Sequence, residues 1–326
     1  MRTWLLLALA ACSAETAQLA PNAPAAASSV PDIRCSTAPS LPGREMRHAK
    51  NDLISEMGEP RHRGVDLIAA ESDATQTFAG AFAYSDADKA LEDEDAELFA
   101  CTGDGWRTLG TARTDGDGRF SLTISGTDRL PVGLRDVYAA APDGTGTWFL
   151  ALVAPDGARI VVSDVDGTLT SSENAFPYSV TVGTQVGVQP GAPFAFDDAA
   201  SRGVLPIFLT ARGDLYTQST RDWLAMKGFP RAPVHLAQPV VTLPGAATVK
   251  FKRAVVEPLA SRFDVVAAIG NRASDITAYT DAGIGADRIY VKMSEFADEL
   301  AAPLAGKQAV AFSSYDDLRT SVISQW

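Results

Sequence analysis

Residues 161–170 read Val-Val-Ser-Asp-Val-Asp-Gly-Thr-Leu-Thr. The apolar start predicts a buried β-strand, and the glycine predicts that the strand breaks at that point. Asp164 and Asp166 are two positions apart, so on a strand both carboxylates point the same way and can converge on one ligand. Open α/β sheets bind their ligands at this carboxyl edge of the strands.

Two neighbouring carboxylates at a strand tip suit phosphoryl transfer. One can attack phosphorus, while the other protonates the leaving oxygen and then activates water. The pair needs a counter-cation, and Mg²⁺ prefers oxygen ligands. Gly167 permits the sharp turn, and Thr168 adds a hydroxyl and an amide near the phosphate. The alternative interpretation is an ordinary Asp-Gly turn at the end of a strand.

Further segments in the right order carry a family resemblance. Asp164–Thr168 resembles the first motif of the haloacid dehalogenase (HAD) superfamily of phosphatases. Leu205–Thr210, a strand ending in Leu-Thr and followed by Ala-Arg, resembles the second motif, and Val265–Asp275 the fourth. With Phe251–Lys252 before a helix, the set is similar to lipin-type phosphatidate phosphatases and to the related domain of Nir-type phosphatidylinositol transfer proteins. The resemblance covers about residues 160–295.

The resemblance implies a role for each residue at this edge. Asp164 is the expected nucleophile and Asp166 the acid and base, with Thr210 and Lys252 binding the phosphoryl group. The expected Mg²⁺ ligands are Asp164, Asp166 and Asp275. Further contacts to the phosphate and the metal are expected from Gly167, Thr168, Ala211, Arg212 and Asn271.

Several of these assignments have alternatives. Arg212 could pair with the nearby Asp214 instead of phosphate. Lys250 is a competing phosphate lysine on the same predicted helix. Asn271 and Asp275 could simply cap the helix that follows them. The motif order favours the functional assignments.

Composition divides the rest of the chain into segments. A chain of 326 residues with 46% hydrophobic content can bury more than one core. We predict a signal peptide at 1–11, a disordered tether at 12–43 and a short helix at 44–60. A small all-β sandwich of immunoglobulin or transthyretin type follows at 61–156. The last segment, 157–326, alternates strands and helices and predicts an α/β HAD-like Rossmannoid domain with a mainly parallel sheet.

The N-terminal segment suggests a location. An apolar run precedes Cys12, and Leu9–Cys12 resembles a bacterial lipobox. We therefore expect a periplasm-facing lipoprotein of the bacterial cell envelope, anchored at Cys12, with a secreted or periplasmic soluble protein as the alternative. Cys35 and Cys101 then remain as either a disulfide or two free thiols.

The first domain shows no catalytic pattern. Seven short alternating segments lie between Val65 and Ala154. We predict that Asp115–Gly118 is a hairpin turn and that Glu92–Asp95 is a solvated acidic loop. The helix at 44–60 should bury an apolar face. This face comprises Met46, Leu53 and Met57. A basic cluster lies in and just after the same segment, and a solvated helix face explains it better than contact with lipid phosphates. The cluster comprises Arg44, Arg47, His48, Lys50, Arg61, His62 and Arg63.

The predicted function is a Mg²⁺-dependent phosphomonoesterase that converts phosphatidate or a related lipid phosphate to diacylglycerol and phosphate. The net charge of -12 argues against nucleic acid as a partner, and no protein partner is predicted. The segments between the motifs are too short to fold as a lid over the site. Water must then be excluded by the substrate itself or by a membrane surface. The alternatives are a HAD phosphatase for protein, sugar or nucleotide phosphates and a non-catalytic phosphatidate-binding module. Both aspartates are present, which favours an enzyme.

Overall fold

The computed structural model describes residues 30–172, 186–238 and 245–326. The predicted signal peptide and Cys12 lie outside the described residues, as does most of the segment after the two aspartates. Within the described residues, the first part of the chain holds one short helix, α1 (Ala49–Ser55). Its strands are β1 (Asp32–Ile33), β2 (Arg63–Val65), β3 (Leu67–Ala70), β4 (Thr75–Ala81), β5 (Ala83–Tyr84), β6 (Lys89–Ala90), β7 (Asp95–Cys101), β8 (Trp106–Arg113), β9 (Arg119–Ser125), β10 (Gly133–Ala140) and β11 (Gly146–Ala154).

Nine of these strands form the predicted β-sandwich, and β5 pairs with β6 in a separate two-stranded sheet. One sheet has the order β3-β11-β10-β7-β8 with β1 beside β10, and the other has the order β2-β4-β9. Alternate residues such as Phe78, Leu98 and Val137 are fully buried between the two sheets. Asp66 separates β2 from β3, and its carboxylate accepts hydrogen bonds from the amides of Leu150 and Val234.

The turn at Asp115–Gly118 differs from its prediction. It connects β8 to β9, and these strands belong to different sheets. The segment is therefore a turn between layers and not a hairpin. Asp115 Oδ1 stabilises it by accepting hydrogen bonds from the amides of Asp117 (2.9 Å) and Arg119 (2.8 Å).

The acidic run Glu92–Asp95 packs against α1 instead of forming a solvated loop. Glu94 is fully buried and accepts hydrogen bonds from the Arg47 amide (3.0 Å) and from Asn51 Nδ2 (2.6 Å). Several of the predicted basic residues thus contact acids of the same chain. Lys50 pairs with Glu92, His48 Nε2 hydrogen-bonds to Asp93 (2.7 Å), and Arg44 pairs with Glu97 nearby.

The prediction that this helix buries an apolar face is wrong. Met46 is buried, but Leu53 is 65% exposed and Met57 is 58% exposed. Asn51 occupies the buried position of the helix because its amide reaches Glu94. A polar contact with the sandwich, which periodicity does not reveal, therefore orients α1.

The residues before α1 are attached to the sandwich. From residue 30 onward, the segment predicted as a tether contributes β1, which pairs with β10. Cys35 and Cys101 form a disulfide across a sequence separation of 66 residues. The structure therefore decides between the two predicted states of these cysteines in favour of the bond.

We expect the double variant Cys35→Ser/Cys101→Ser to lower the free energy of unfolding by about 2–4 kcal/mol, because the bond restricts the unfolded chain. Urea denaturation of the variant and of the parent, with and without a reductant, measures this difference. Equal unfolding midpoints for all samples would contradict the expectation.

The second part of the chain is an α/β layer structure. Its six strands are all parallel, in the order β14-β13-β12-β15-β16-β17. They are β12 (Arg159–Asp164), β13 (Leu205–Gly213), β14 (Val234–Ala237), β15 (Asp264–Gly270), β16 (Ile289–Lys292) and β17 (Val310–Phe312). The described helices are α2 (Ala192–Ser201), α3 (Thr217–Met226), α4 (Ala246–Ala260), α5 (Ala273–Asp281), α6 (Ala297–Ala305) and α7 (Tyr315–Ser321).

Helices cover both faces of this parallel sheet. On β12, Val161 belongs to the core on one face, and Ile160 and Val162 belong to the core on the other. Burial on both faces explains why the strand is continuously apolar instead of alternating. The described part of residues 157–326 alternates strands and helices, as the sequence predicted.

The two parts of the chain share one core. Ala70, Leu152 and Ala154 at the ends of sandwich strands pack in the same cluster as Ile160 and Val162. Ion pairs also join the two parts. They are Arg63–Asp214, Arg119–Asp214, Arg221–Asp66, Arg231–Asp32, Arg231–Asp136 and Arg262–Asp73.

Candidate active site

The two aspartates lie where β12 ends. Asp164 is the last residue of the strand, and the chain then turns so that the amides of Leu169 and Thr170 bond to the Val165 carbonyl. Gly167 has φ +70°, which a side chain disfavours. Its amide donates to Thr170 Oγ1 (2.8 Å), so the motif forms a compact loop at the carboxyl edge of the sheet.

Lys252 joins the first aspartate to the fourth motif. Its Nζ donates hydrogen bonds to Oδ1 of both Asp164 and Asp275, and all three side chains are nearly inaccessible to solvent. Burial disfavours the ammonium ion, but the two carboxylates outweigh it and raise the pKa of Lys252 well above its ordinary value. Lys250 is exposed, so Lys252 and not Lys250 reaches the two aspartates.

The fourth motif also caps a helix. Asp275 Oδ2 accepts hydrogen bonds from the amides of Asn271 (2.9 Å) and Arg272 (3.0 Å) at the start of α5. Gly270 is required here because a Cβ on it would lie 2.5 Å from the Asp275 side chain. The capping interpretation and the functional interpretation of Asp275 are therefore compatible, since one carboxylate oxygen caps the helix and the other bonds to Lys252.

The second aspartate is held by the second motif. Thr210 Oγ1 donates to Asp166 Oδ2 (2.7 Å), and Arg212 bonds to the same carboxylate through Nη2 (2.7 Å) and Nε (3.1 Å). Arg212 therefore pairs with Asp166 and not with Asp214. The pairing of β13 with β14 is irregular between Thr210 and Gly213, and such irregularities redirect side chains at strand ends. Ala211 lies between these two residues and is half-buried.

Thr168 links the first and fourth motifs. Its Oγ1 lies 3.0 Å from Asp164 Oδ2 and 3.0 Å from Asn271 Oδ1. The expected residues of the first, second and fourth motifs and Lys252 are thus gathered at one edge of the sheet. Their catalytic and binding roles stay predictions.

Two buried tyrosines at this edge are absent from the sequence prediction. Tyr315 on α7 donates to the Thr168 carbonyl (3.0 Å), and Tyr279 on α5 donates to the Ile269 carbonyl (3.1 Å). Burial raises the pKa of both hydroxyls well above the ordinary value. No local sequence signal separates such tyrosines from ordinary core residues.

The three predicted metal ligands do not form one cluster. Among the described residues there is no group of three His, Cys, Asp or Glu side chains that could hold a metal ion. Asp166 bonds to Arg212, whereas Asp164 and Asp275 share Lys252.

Magnesium nevertheless fits the donor chemistry of the site. Asp164 and Asp275 share the single ammonium of Lys252, so these two carboxylates carry one negative charge in excess. Mg²⁺ commonly uses one or two carboxylates and completes its shell with water and phosphate oxygens. Asp164 and Asn271 are the oxygen donors that would hold it.

A cavity of about 1030 Å³ lies between the two parts of the chain. One side is formed by Leu215, Tyr216 and residues of α3, and the other side by residues near β2, β5 and β11. The 3₁₀ helix Asp214–Tyr216 directly follows β13, so the cavity adjoins the chain segment that carries Arg212. The large apolar residues that line it are Trp148, Val186, Leu215, Trp223 and Met226.

Solved structures show only a loose likeness. The D,D-heptose 1,7-bisphosphate phosphatase from B. bronchiseptica has a TM-score of 0.40 and 14% identity over 52% of this chain and 99% of that chain. The class C acid phosphatase from Bacillus anthracis has a TM-score of 0.32 and 20% identity over 48% of this chain and 67% of that chain. These scores are too low for a shared function to follow.

Curated relatives match both parts of the chain. Membrane-associated phosphatidylinositol transfer protein 3 of Mus musculus is 28% identical over 235 residues, 71% of this chain and 23% of that protein. Protein retinal degeneration B of Drosophila melanogaster is 28% identical over 267 residues, 77% of this chain and 20% of that protein. The chain therefore spans less than a quarter of the length of these relatives.

These relatives correct the predicted location. They come from mouse, human and fly, so the prediction of a periplasm-facing lipoprotein of the bacterial envelope is wrong. The short apolar run before Cys12 resembles a lipobox by composition alone, and few positions define that pattern. In the described part of the chain, none of the helices is long and apolar enough to cross a bilayer.

Two family models match consecutive segments. Residues 60–152 match the beta-sandwich domain of PITM 1-3. Residues 161–292 match the LNS2 domain of PITM 1-3. The first segment holds strands β2 to β10 and most of β11, and the second contains Asp164, Thr210, Lys252 and Asp275. Over both of its folded parts, this chain is similar to the membrane-associated phosphatidylinositol transfer proteins.

Proposed function

We propose that this chain is a HAD-type phosphomonoesterase that acts on phosphatidate or a related lipid phosphate. The observation that carries the proposal is the pairing of two carboxylates with separate partners at one strand tip. Lys252 bonds to Asp164 and Asp275, and Arg212 and Thr210 bond to Asp166. Distinct surroundings suit the two carboxylates to the distinct tasks of nucleophile and acid–base.

The proposed reaction has two steps. In the first, an Asp164 oxygen forms a bond to phosphorus, the ester P–O bond breaks, and protonated Asp166 gives its proton to the leaving alkoxide. In the second, Asp166 takes a proton from water, the water oxygen attacks phosphorus, and the aspartyl-phosphate bond breaks. The products are the alcohol and inorganic phosphate, with the Asp164 carboxylate and protonated Asp166 restored.

The neighbouring cations hold the reacting groups. Lys252 orients Asp164 and offsets negative charge on the transferring phosphoryl group. Arg212 and Thr210 keep Asp166 at the edge of the sheet, where it is 17% exposed. Bound Mg²⁺ would supply further charge neutralisation and Lewis acidity toward phosphoryl oxygens.

Two observations support a lipid as the substrate. The relatives are named membrane-associated phosphatidylinositol transfer proteins. The cavity next to the 3₁₀ helix is lined by Trp148, Trp223 and Met226, and four of its charged residues form the pairs Arg61–Asp86 and Arg63–Asp88. Apolar residues in the lining suit the uncharged part of a lipid.

Phosphate release from a substrate panel tests the proposal. We expect the purified chain to hydrolyse phosphatidate in mixed micelles with Mg²⁺, to hydrolyse soluble sugar and nucleotide phosphates far more slowly, and to stop when EDTA removes the metal. Faster hydrolysis of a soluble phosphate than of phosphatidate would show that the substrate belongs to that soluble class and is not a lipid. Absence of release from every substrate would contradict the phosphatase itself.

One observation favours a non-catalytic module that binds phosphatidate. Both oxygens of Asp166 and both oxygens of Asp275 are already bonded to protein groups, as expected of a structural polar network. This second function would be supported if the chain binds phosphatidate but releases no phosphate, whichever metal is added.

A further inference from the structure

We propose that the β-sandwich takes part in the reaction through two arginines that position the acid–base carboxylate. Arg63 and Arg119 of the sandwich anchor Asp214, and Asp214 holds the end of β13, which carries Arg212, the partner of Asp166. This inference rests on the proposed phosphatase function. It makes Arg63, Arg119 and Asp214 positioning residues.

The three-stranded sheet holds the two arginines in fixed positions. Arg63 on β2 and Arg119 on β9 are both register partners of Ala81 on the central strand β4. Partners in register point to the same face, so the two side chains leave the sheet side by side, with one strand between them. The turn at Asp115 fixes the start of β9 through its hydrogen bond to the Arg119 amide.

Both arginines meet the same carboxylate. Arg63 Nε lies 3.2 Å from Asp214 Oδ1, and Arg119 Nη2 lies 3.0 Å from Asp214 Oδ2. The Asp214 side chain is 11% exposed, so water and salt screen these ion pairs less than pairs on the open surface. Arg63 is oriented further by Asp88.

Asp214 connects the two sandwich arginines to Arg212. It follows Arg212 by two positions and begins the 3₁₀ helix that leads into α3. On the other side, Arg212 Nη1 donates to Thr220 Oγ1 of α3 (3.0 Å). The guanidinium that binds Asp166 is therefore held between the end of β13 and α3, and the sandwich immobilises the corner between them.

The test uses Arg119, because it is 32% exposed and bonds to Asp214 through one nitrogen, so its replacement should leave the fold intact. We expect Arg119→Gln to lower kcat for phosphatidate about tenfold with KM within twofold, because a misplacement of about 1 Å can cost about 10²-fold and the loss of one of two anchoring arginines should cause a smaller one. Arg119→Lys should restore most of the rate, because an ammonium can replace a single contact. Asp214→Asn should resemble Arg119→Gln.

Arg262→Gln is the matched control. Arg262 also pairs across the two parts of the chain, with Asp73 at 3.0 Å, and it is 39% exposed. This control should keep the parental kcat. Hydrogen–deuterium exchange gives a second readout that needs no activity. Peptides covering residues 205–220 should exchange faster in Arg119→Gln and not in Arg262→Gln.

The outcomes separate the two proposals. An active parent with unchanged kcat and unchanged exchange in Arg119→Gln would overturn the positioning role and leave the phosphatase intact. Equal loss of kcat in Arg119→Gln, Arg119→Lys and Arg262→Gln would show a general structural effect and would also overturn it. A parent that releases no phosphate would overturn both proposals.

Discussion

Asp164→Asn is expected to reduce phosphate release from phosphatidate by about 10⁴-fold or more, because loss of a nucleophile removes the reaction path it serves. The amide has the size of the carboxylate and can still accept a hydrogen bond from Lys252. Binding of lipid should therefore persist. Steady-state phosphate release measures the first effect. Quenching of Trp148 and Trp223, which line the cavity, by brominated acyl chains measures the second.

Asp164→Glu is the control for charge at this position. It keeps a carboxylate for Lys252 but moves that carboxylate by one methylene group. Activity should therefore be lost, while the Tm stays closer to that of the parent than the Tm of Asp164→Asn does. Release at the parental rate in Asp164→Asn would rule out Asp164 as the nucleophile. Loss of both release and lipid quenching, together with a lowered Tm, would instead indicate damage to the fold.

Lys252→Met should have the largest effect on stability. Removing the ammonium leaves Asp164 and Asp275 buried without their shared cation, and breaking a buried pair in this way costs about 3–5 kcal/mol of unfolding free energy. Urea denaturation at neutral pH measures the difference. Lys250→Met is the matched control, two positions away on the same helix but exposed, and it should change stability by less than about 0.5 kcal/mol.

The effect of Lys252 also has a defined pH dependence. Its pKa is raised in the folded state above the ordinary 10.5 because Asp164 and Asp275 outweigh the effect of burial. A raised pKa contributes stability that is fully present below the unfolded value and is lost as the pH rises through the folded value. The difference between parent and Lys252→Met should therefore be constant near neutral pH and shrink only in alkali beyond 10.5. A difference that vanishes below pH 9 would contradict the assigned ion pairs.

Sequence patterns predicted the elements that carry the site because each depends on local chemistry. The apolar run into Asp164 is a strand in any parallel sheet that is covered on both faces. Thr210 follows a run of the same kind, and Asp275 opens a helix after Gly270. Residues at the carboxyl ends of parallel strands must share one edge, so their proximity followed from strand assignment alone.

Contacts between distant segments escaped prediction because no local pattern encodes them. Periodicity placed Leu53 and Met57 inside, yet Asn51 is the buried residue of α1, because it donates hydrogen bonds to Glu94 and to the Glu92 carbonyl. The acidic run was assigned to solvent by composition, whereas the structure pairs it with α1. A short lipobox-like segment suggested a bacterial envelope, and the relatives in animals overturned that location.

By itself, the sequence determined that two aspartates end a buried strand, that a threonine, a lysine and a third aspartate accompany them, and that an all-β segment precedes the α/β part. Strand and helix periods are properties of neighbouring residues, so they can be recognised in the chain before it folds. Only the tertiary structure decided that Lys252 bridges Asp164 and Asp275, that Arg212 binds Asp166, and that sandwich arginines reach Asp214. The choice among several possible ion-pair partners depends on which side chains packing brings within hydrogen-bonding distance, and packing is set by the whole chain.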